Sequence, residues 1–269
     1  MGKLLVPEEL WELIEPILPE HPPSPNGGKP RKPDRLCLTG ILFVLKTGIP
    51  WEDFPQEMGC CGMTLWNRLH EWMTAGVWPA LHRLLLDKLR GADQIDFSRV
   101  VVDSASVRAV HGGKKTGPSP VDRRKNGSKH HLVVDANGVP LAATLTAANR
   151  HDVTQLLPLI DAIPPIRGKV GAPLRKPREV MGDRAYHDDD RRMTLSCRGI
   201  ATAIARRGDS HGSGLGIFRY VVEQALALLH QFRRLRTRFD KRDDIHETFM
   251  QIGCAMMCWR RLHNSTGYL

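Results

Sequence analysis

Two apolar runs, Lys129–Asp135 and Val139–Thr146, flank the tetrapeptide Asp135-Ala136-Asn137-Gly138. This pairing constrains the fold more than any other feature of the sequence. Asn-Gly between apolar runs marks a tight hairpin, because both residues tolerate the positive φ angles such a turn demands. Just upstream, Ser98–Ala105 reads SRVVVDSA, a β-branched run suited to a buried strand. Downstream, the short strands Glu179–Gly182 and Ala201–Ala205 alternate with helical segments at Asp152–Ile160, Asp188–Cys197, Phe218–Arg234 and Asp243–Arg261. Three strands with a hairpin, then alternating helix and strand, predict a mixed α/β sheet flanked by helices.

Residues 1–92 read differently, as a helical region. Pro7-Glu8-Glu9 opens a helix whose apolar positions Leu10, Leu13, Ile14 and Ile17 keep helical spacing. Residues 19–33 hold six prolines, Gly27-Gly28 and the basic Lys29, Arg31 and Lys32, which reads as an extended arm. Helices are then expected over Asp34–Lys46, Thr64–Thr74 and Trp78–Leu89, with a short helical turn at Trp51–Glu57. That order fits a helix-turn-helix module with Asn67 and Arg68 on the recognition helix, and it also fits a plain bundle. The second domain is expected over residues 97–269.

The chain carries 39 Lys and Arg against 29 Asp and Glu, a net charge of +10, which points to nucleic acid or an anionic membrane surface. A membrane span is excluded. The longest apolar run, Leu36–Leu45, contains Thr39 and Gly40 and falls well short of the ~20 residues a crossing helix needs. MGKLLVPEEL has neither the apolar segment nor the cleavage site of a secretory signal, so the cytoplasm is expected. Cysteines 37, 60, 61, 197, 254 and 258 form no Cys-x-x-Cys pair and are expected to be buried, reduced thiols.

Three acids stand out by position. Asp103 follows three valines in a strand, where a carboxylate is costly to bury without a cation; it is either a strand-end turn residue or a metal ligand. Asp183 directly follows the strand Glu179–Gly182, and ligands in α/β sheets gather beyond strand ends. Glu223 lies at the margin of a helical apolar stripe that includes Val222, Leu226 and Leu229, with Arg219 one turn earlier. Taken alone it reads as a surface residue. Three carboxylates can hold two Mg²⁺ ions and support phosphodiester chemistry.

The surroundings suit a phosphate substrate. Residues 105–130 hold Arg108, Lys114, Lys115, Arg123, Arg124, Lys125 and Lys129 against Asp122, and residues 231–242 hold six further cations against Asp240. Such clusters neutralise backbone phosphates. Asp188, Asp189 and Asp190 read as first-turn helix acids. Asn149-Arg150-His151-Asp152 has the His-Asp pair of a metal phosphohydrolase, but that fold is all-helical and needs more His ligands. Asp152 is expected instead to cap a helix in an Asp-x-x-Gln box.

Long strings carry a resemblance: LTGILFVLKTGIPWEDFP, VDSASVRAVHGGKKTGPSPVDRRKNGSKHHLVVDANGVPLA, NRHDVTQLLPLIDAIP, GDRAY, and RRGDSHGSGLG through VVEQALALLHQFRRLRTRFDKRDDIHETF. Over nearly its whole length the chain resembles bacterial insertion-sequence transposases of the DDE class, in the family named after the fifth insertion sequence. The resemblance implies a ribonuclease-H-like core with Asp103, Asp183 and Glu223 as catalytic acids. It also implies an N-terminal domain that helps recognise terminal inverted repeats, and cleavage of double-stranded DNA followed by strand transfer. The ions would be two Mg²⁺, with Mn²⁺ a plausible substitute. Arg219, Arg108, Lys114, Lys115, Arg123, Arg124 and Lys129 become expected phosphate contacts, and Asn67 and Arg68 expected base contacts. Joining two element ends implies at least a homodimer. The chain departs from the family pattern at Gln224, which replaces Arg. Gly216 replaces Tyr, and His230, expected near DNA, replaces Lys. These departures motivate the alternative of a domesticated DNA-binding protein without catalysis.

Overall fold

The computed structural model describes residues 4–21, 30–206 and 216–264. Residues 22–29 of the basic arm and residues 207–215 of the RRGDSHGSGLG string lie outside the described residues.

Four helices lead the chain: α1 (Glu8–Ile14), α2 (Asp34–Thr47), α3 (Gly62–Thr74) and α4 (Val77–Gly91). Their apolar positions turn inward, burying Leu10, Ile14, Leu38, Ile41, Leu65, Leu69 and Leu85, while Trp72 and Trp78 meet edge-to-face at 5.7 Å. Gly62 opens α3 because a Cβ there would lie 1.7 Å from the Trp51 carbonyl oxygen.

The rest is built on β1 (Arg99–Ala109), β2 (Gly117–Pro118), β3 (Asn126–Asp135), β4 (Pro140–Ala147), β5 (Glu179–Gly182), β6 (Ala201–Ile204) and β7 (Thr237–Arg238). β1 pairs antiparallel with β3 and parallel with β5, β6 lies parallel to β5, and β4 pairs antiparallel with β3. The five main strands therefore run in the order β4-β3-β1-β5-β6, with β3 alone reversed. This is the ribonuclease-H-like mixed sheet. The expected hairpin forms at Asp135–Val139. Gly138 takes φ +81°, and Asp135 Oδ1 accepts from the amides of Asn137 (3.0 Å) and Val139 (2.7 Å). Burial raises the Asp135 pKa to about 6.

Helices α5 (Leu156–Asp161) and α6 (Asp189–Cys197) cover one face of the sheet. Helices α7 (Gly216–Leu229) and α9 (Asp243–Asn264) cover the other, with the short α8 (Arg233–Arg236) between them. Three expectations are corrected. β1 extends beyond Ala105 to Ala109 because its distal half keeps pairing with β3 and β7. The single helix expected over Phe218–Arg234 breaks after Leu229, where extended Phe232 turns its ring into the core. Cys61 and Cys197 are exposed; the other four cysteines are buried.

The helical N-terminal region does not stand apart. α4 packs on α9, His82 Nε2 meets the Pro140 carbonyl at 2.9 Å, and one apolar core runs through both regions. Buried Arg234 bolts the joint. It donates to the Ile49 carbonyl (3.1 Å) and to Asp240 Oδ1 (2.7 Å), and its guanidinium packs against Trp51, Phe239 and Phe249. Arg234→Met leaves the Asp240 carboxylate, itself 8% exposed, without its strongest partner. The expected cost is ~3–5 kcal/mol of stability, read as a lower urea midpoint, and Arg234→Met with Asp240→Asn should recover part of the loss. A single variant with an unchanged midpoint would show that the joint does not depend on this residue.

Candidate active site

Val100, Val101 and Val102 fill the sheet interior, and the β1–β5 ladder ends at Val101↔Met181. Two residues further along each strand stand Asp103 and Asp183, level with each other where the neighbouring parallel strands part. That divergence is the strand-end position at which α/β sheets gather ligands. Asp183 Oδ1 also caps the helical turn Arg184–Tyr186 by accepting from the Ala185 amide at 2.9 Å.

On this face α7 crosses β1 and β3. It brings Arg219 Nη2 to 3.6 Å from Asp103 Oδ2 and 3.4 Å from Glu223 Oε1. Asp103 Oδ1 accepts from the Ser104 amide at 2.8 Å. Burial raises the Asp103 pKa, and the negative charges of Asp183 and Glu223 add to that, against the Ser104 amide and the Arg219 guanidinium. The Asp103 side chain is 16% exposed and Glu223 58%. The structure thus brings all three sequence-derived acids to one neighbourhood. Among the described residues no three His, Cys, Asp or Glu groups converge tightly enough to grip a metal as they stand, because Arg219 lies between two of the acids. The donor set still fits a hard divalent cation. Two of the carboxylates share the Arg219 guanidinium, and the charge of the third is felt at Asp103.

The basic residues divide. Arg108, Lys114, Arg123 and Arg124 are exposed, the last two on left-handed backbone at φ 47° and 60°. Arg108 Nε reaches Asp122 at 3.3 Å, and exposed Lys115 pairs with Glu247 at 2.6 Å. Asn67 projects to solvent from α3.

Three residues expected at DNA are placed elsewhere. Arg68 is 4% exposed and locked to Asp34, with Glu71 at 3.6 Å. Lys129 is buried against Asp152 at 2.9 Å and donates to the Arg150 carbonyl. His230 Nε2 lies 3.1 Å from His130 Nδ1, and His130 Nε2 lies 2.8 Å from His246 Nε2. At the far end, His246 Nδ1 faces Asp240 Oδ2 at 3.6 Å. The Asp240 carboxylate orients this row, placing the His246 proton on Nδ1 so that each imidazole accepts from the next. Burial lowers the pKa of all three histidines, His130 furthest. In the second basic cluster, Arg234 and Arg238 are interior, leaving Arg233, Arg236, Lys241 and Arg242 at the surface.

Asp188 caps α6 by accepting from the Arg191 amide. Asp152 makes no such cap: its Oδ1 accepts from Ser104 Oγ at 2.7 Å, and Gln155 Oε1 accepts from Thr144 Oγ1. Nothing local along the chain points to this second polar cluster, because strand alternation places Ser104 on the sheet face opposite Asp103 while the partner lies 48 residues away.

Comparisons with known proteins give the class, a transposase with a DDE domain. Residues 95–213 match the family model "Transposase DDE domain", and residues 6–82 match "Putative transposase of IS4/5 family". The "Putative transposase for insertion sequence element IS402" of Burkholderia cepacia is 56% identical over 167 residues, covering 62% of this chain and 77% of the relative. The "Insertion element IS402 uncharacterized 16.2 kDa protein" from the same organism is 58% identical over 125 residues, 45% of this chain and 84% of that one. Among solved structures, the pre-cleavage Mos1 transpososome aligns over 90% of this chain and 81% of that one, at 13% identity and a TM-score of 0.29. The chain belongs to the insertion-sequence transposases of the DDE type. No helix among the described residues is long and apolar enough to cross a membrane.

Proposed function

We propose that this transposase, of the group named after the fifth insertion sequence, works in the bacterial cytoplasm on double-stranded DNA. It cuts at its element's terminal inverted repeats and joins the freed 3′-hydroxyl to target DNA. Residues 1–92 grip DNA and residues 97–269 carry the chemistry. The reading rests on one observation: Asp103 and Asp183 emerge level from adjacent parallel strands, and α7 sets Glu223 beside them. These three carboxylates would hold two Mg²⁺ ions, replaceable by Mn²⁺. Bound there, such ions supply the charge neutralisation and nucleophile activation that in-line displacement at a phosphodiester requires.

The chain's own residues do the rest. Asp103, whose charge burial makes costly, gains most from a divalent neighbour. Arg219 pairs with Asp103 and Glu223 and, one turn from Glu223, is placed to meet an entering phosphate. Exposed Arg108, Lys114, Lys115, Arg123 and Arg124 track the backbone phosphates, and Asn67 meets a groove from α3. Two element ends are held by at least two protomers.

The test incubates the full chain with repeat-ended DNA and Mg²⁺ or Mn²⁺, resolving nicked and joined strands. Cleavage with strand transfer is expected. Binding without cleavage would replace this reading with a non-catalytic repeat-binding role, and cutting without joining would reduce it to a nuclease.

A further inference from the structure

We propose that Asp152 is a positioning residue for the first catalytic carboxylate, acting through Ser104. The inference rests on the active-site reading above.

Side chains along β1 alternate, so Asp103 faces α7 while Ser104 faces the opposite layer. Ser104 nevertheless holds both sides of the sheet. Its amide donates to Asp103 Oδ1 at 2.8 Å and its hydroxyl donates to Asp152 Oδ1 at 2.7 Å. Whatever moves this serine moves the hydrogen bond that orients the first acid. Asp152 stands in the helical turn Asp152–Gln155 that follows β4, and it is fixed in its own right. Lys129 Nζ, on β3, sits 2.9 Å from its carboxylate and donates to the Arg150 carbonyl at 3.0 Å, tying that turn back to the sheet. His131 Nδ1 flanks the same oxygen at 3.8 Å and donates or accepts through Nε2 at Thr146 Oγ1.

A fourth segment closes the cluster. Tyr186, 1% exposed, ends the turn that Asp183 caps, and that turn packs on the Asp152–Gln155 turn. Burial and the charges of Asp152, Asp103 and Asp183 drive its proton affinity far up, while Ser104 beside it pulls the other way. The phenol therefore stays a neutral hydroxyl among three carboxylates. The segments carrying the first and second acids thus meet at Ser104 and Tyr186, beneath the site.

A stability role explains this arrangement poorly. The side chains of Lys129 and Asp152 are 11% and 18% exposed, and a largely buried ion pair rarely stabilises a fold more than apolar residues of the same volume. A pair tied to the residue next to a metal-binding acid instead matches the outer-shell partners that orient metal ligands.

The experiment compares Asp152→Ala, Ser104→Ala and Ser104→Thr in the full chain, with Asp103→Asn in parallel. Mn²⁺ binding is measured by calorimetry without DNA. Repeat-DNA affinity, cleavage rate at saturating DNA and thermal midpoint are recorded alongside. Asp152→Ala and Ser104→Ala are expected to weaken Mn²⁺ binding by about 10-fold or more and to slow cleavage comparably. DNA affinity should stay within a factor of about two, and Ser104→Thr, which keeps the hydroxyl, should restore most of the loss. The inference falls if Asp152→Ala binds Mn²⁺ and cleaves like the wild type, if Ser104→Thr is no better than Ser104→Ala, or if the losses track unfolding. Were Asp103→Asn itself to bind Mn²⁺ and cleave normally, the active-site reading would fail, a result distinct from a silent Asp152→Ala.

Discussion

Asp103→Asn is expected to lower strand cleavage by about 10³-fold or more, a barrier increase of about 4 kcal/mol, while leaving the fold intact. The isostere keeps the shape of the side chain and can still accept from the Ser104 amide, so only the charge is lost. In the native chain that charge is disfavoured by burial and by the acids around it, which is why the Asp103 pKa is raised. A carboxyl whose folded-state pKa exceeds its unfolded value destabilises the fold once ionised. The asparagine variant should therefore melt at the same temperature as the wild type at pH 7, or slightly higher. Lost cleavage with unchanged or improved stability separates a catalytic acid from a structural one. A variant that still cuts repeat-ended DNA would remove Asp103 from the site.

Stability should fall steeply as the pH drops from about 6.5 towards 4, because the molecule buries neutral imidazoles. Burial lowers the pKa of His82 to about 4, and that of His131 also to about 4, with His130, His230 and His246 lowered too. The unfolded chain takes up these protons near pH 6.5, whereas the folded chain resists them, at His82 and His131 until near pH 4. The stabilisation is thus fully present above the unfolded value and lost as the pH falls through this window. For His82, fully buried against the Pro140 carbonyl, the shift corresponds to about 3 kcal/mol. Asp135, raised to about 6, works in the opposite direction with a similar magnitude. Asp103, also raised, adds to that offset, and the five imidazoles still outnumber the two carboxyls. Protonating the His230–His130–His246 row would also set two N–H groups against each other at a hydrogen bond. Thermal melts from pH 7.5 to 4.5 should show the midpoint dropping by well over ten degrees, on the scale of 2–4 °C per kcal/mol for a chain of this size. A flat profile would mean that the imidazoles gain solvent on protonation without unfolding.

Much of the fold could be read along the chain. The Asn137-Gly138 turn, the valine run before Asp103 and the alternation of strands and helices after residue 150 are local signals with local causes. Asp103 and Asp183 stand out by their places at strand ends, whereas Glu223 alone reads as a surface residue and enters only as a third partner for the other two. What escaped was the pairing of charges across sequence distance. Arg68 looked like a surface cation by helical spacing, yet Asp34 on the preceding helix draws it inward. Lys129 looked like part of a basic stretch, but strand alternation turns it to the face where Asp152 waits. His230 reads as a weakened lysine until His130 and His246 are seen to enclose it. Local propensity sets which elements form, and only tertiary packing decides which polar groups become interior.

Under the proposed function, the packing of α4 on α9, together with the His82 and Arg234 ties between the two regions, makes the protein a ruler. A DNA-gripping region on a loose tether could engage a repeat at many distances from the place where a strand is cut, leaving spacing to be selected afterwards. Here the first four helices and the acid-bearing sheet share one continuous interior, so under the proposed function the offset between grip and cut is built into the solid. Repeats with one base pair inserted or removed between the bound segment and the end should present the wrong phosphate, as a lock refuses a key shifted by one notch.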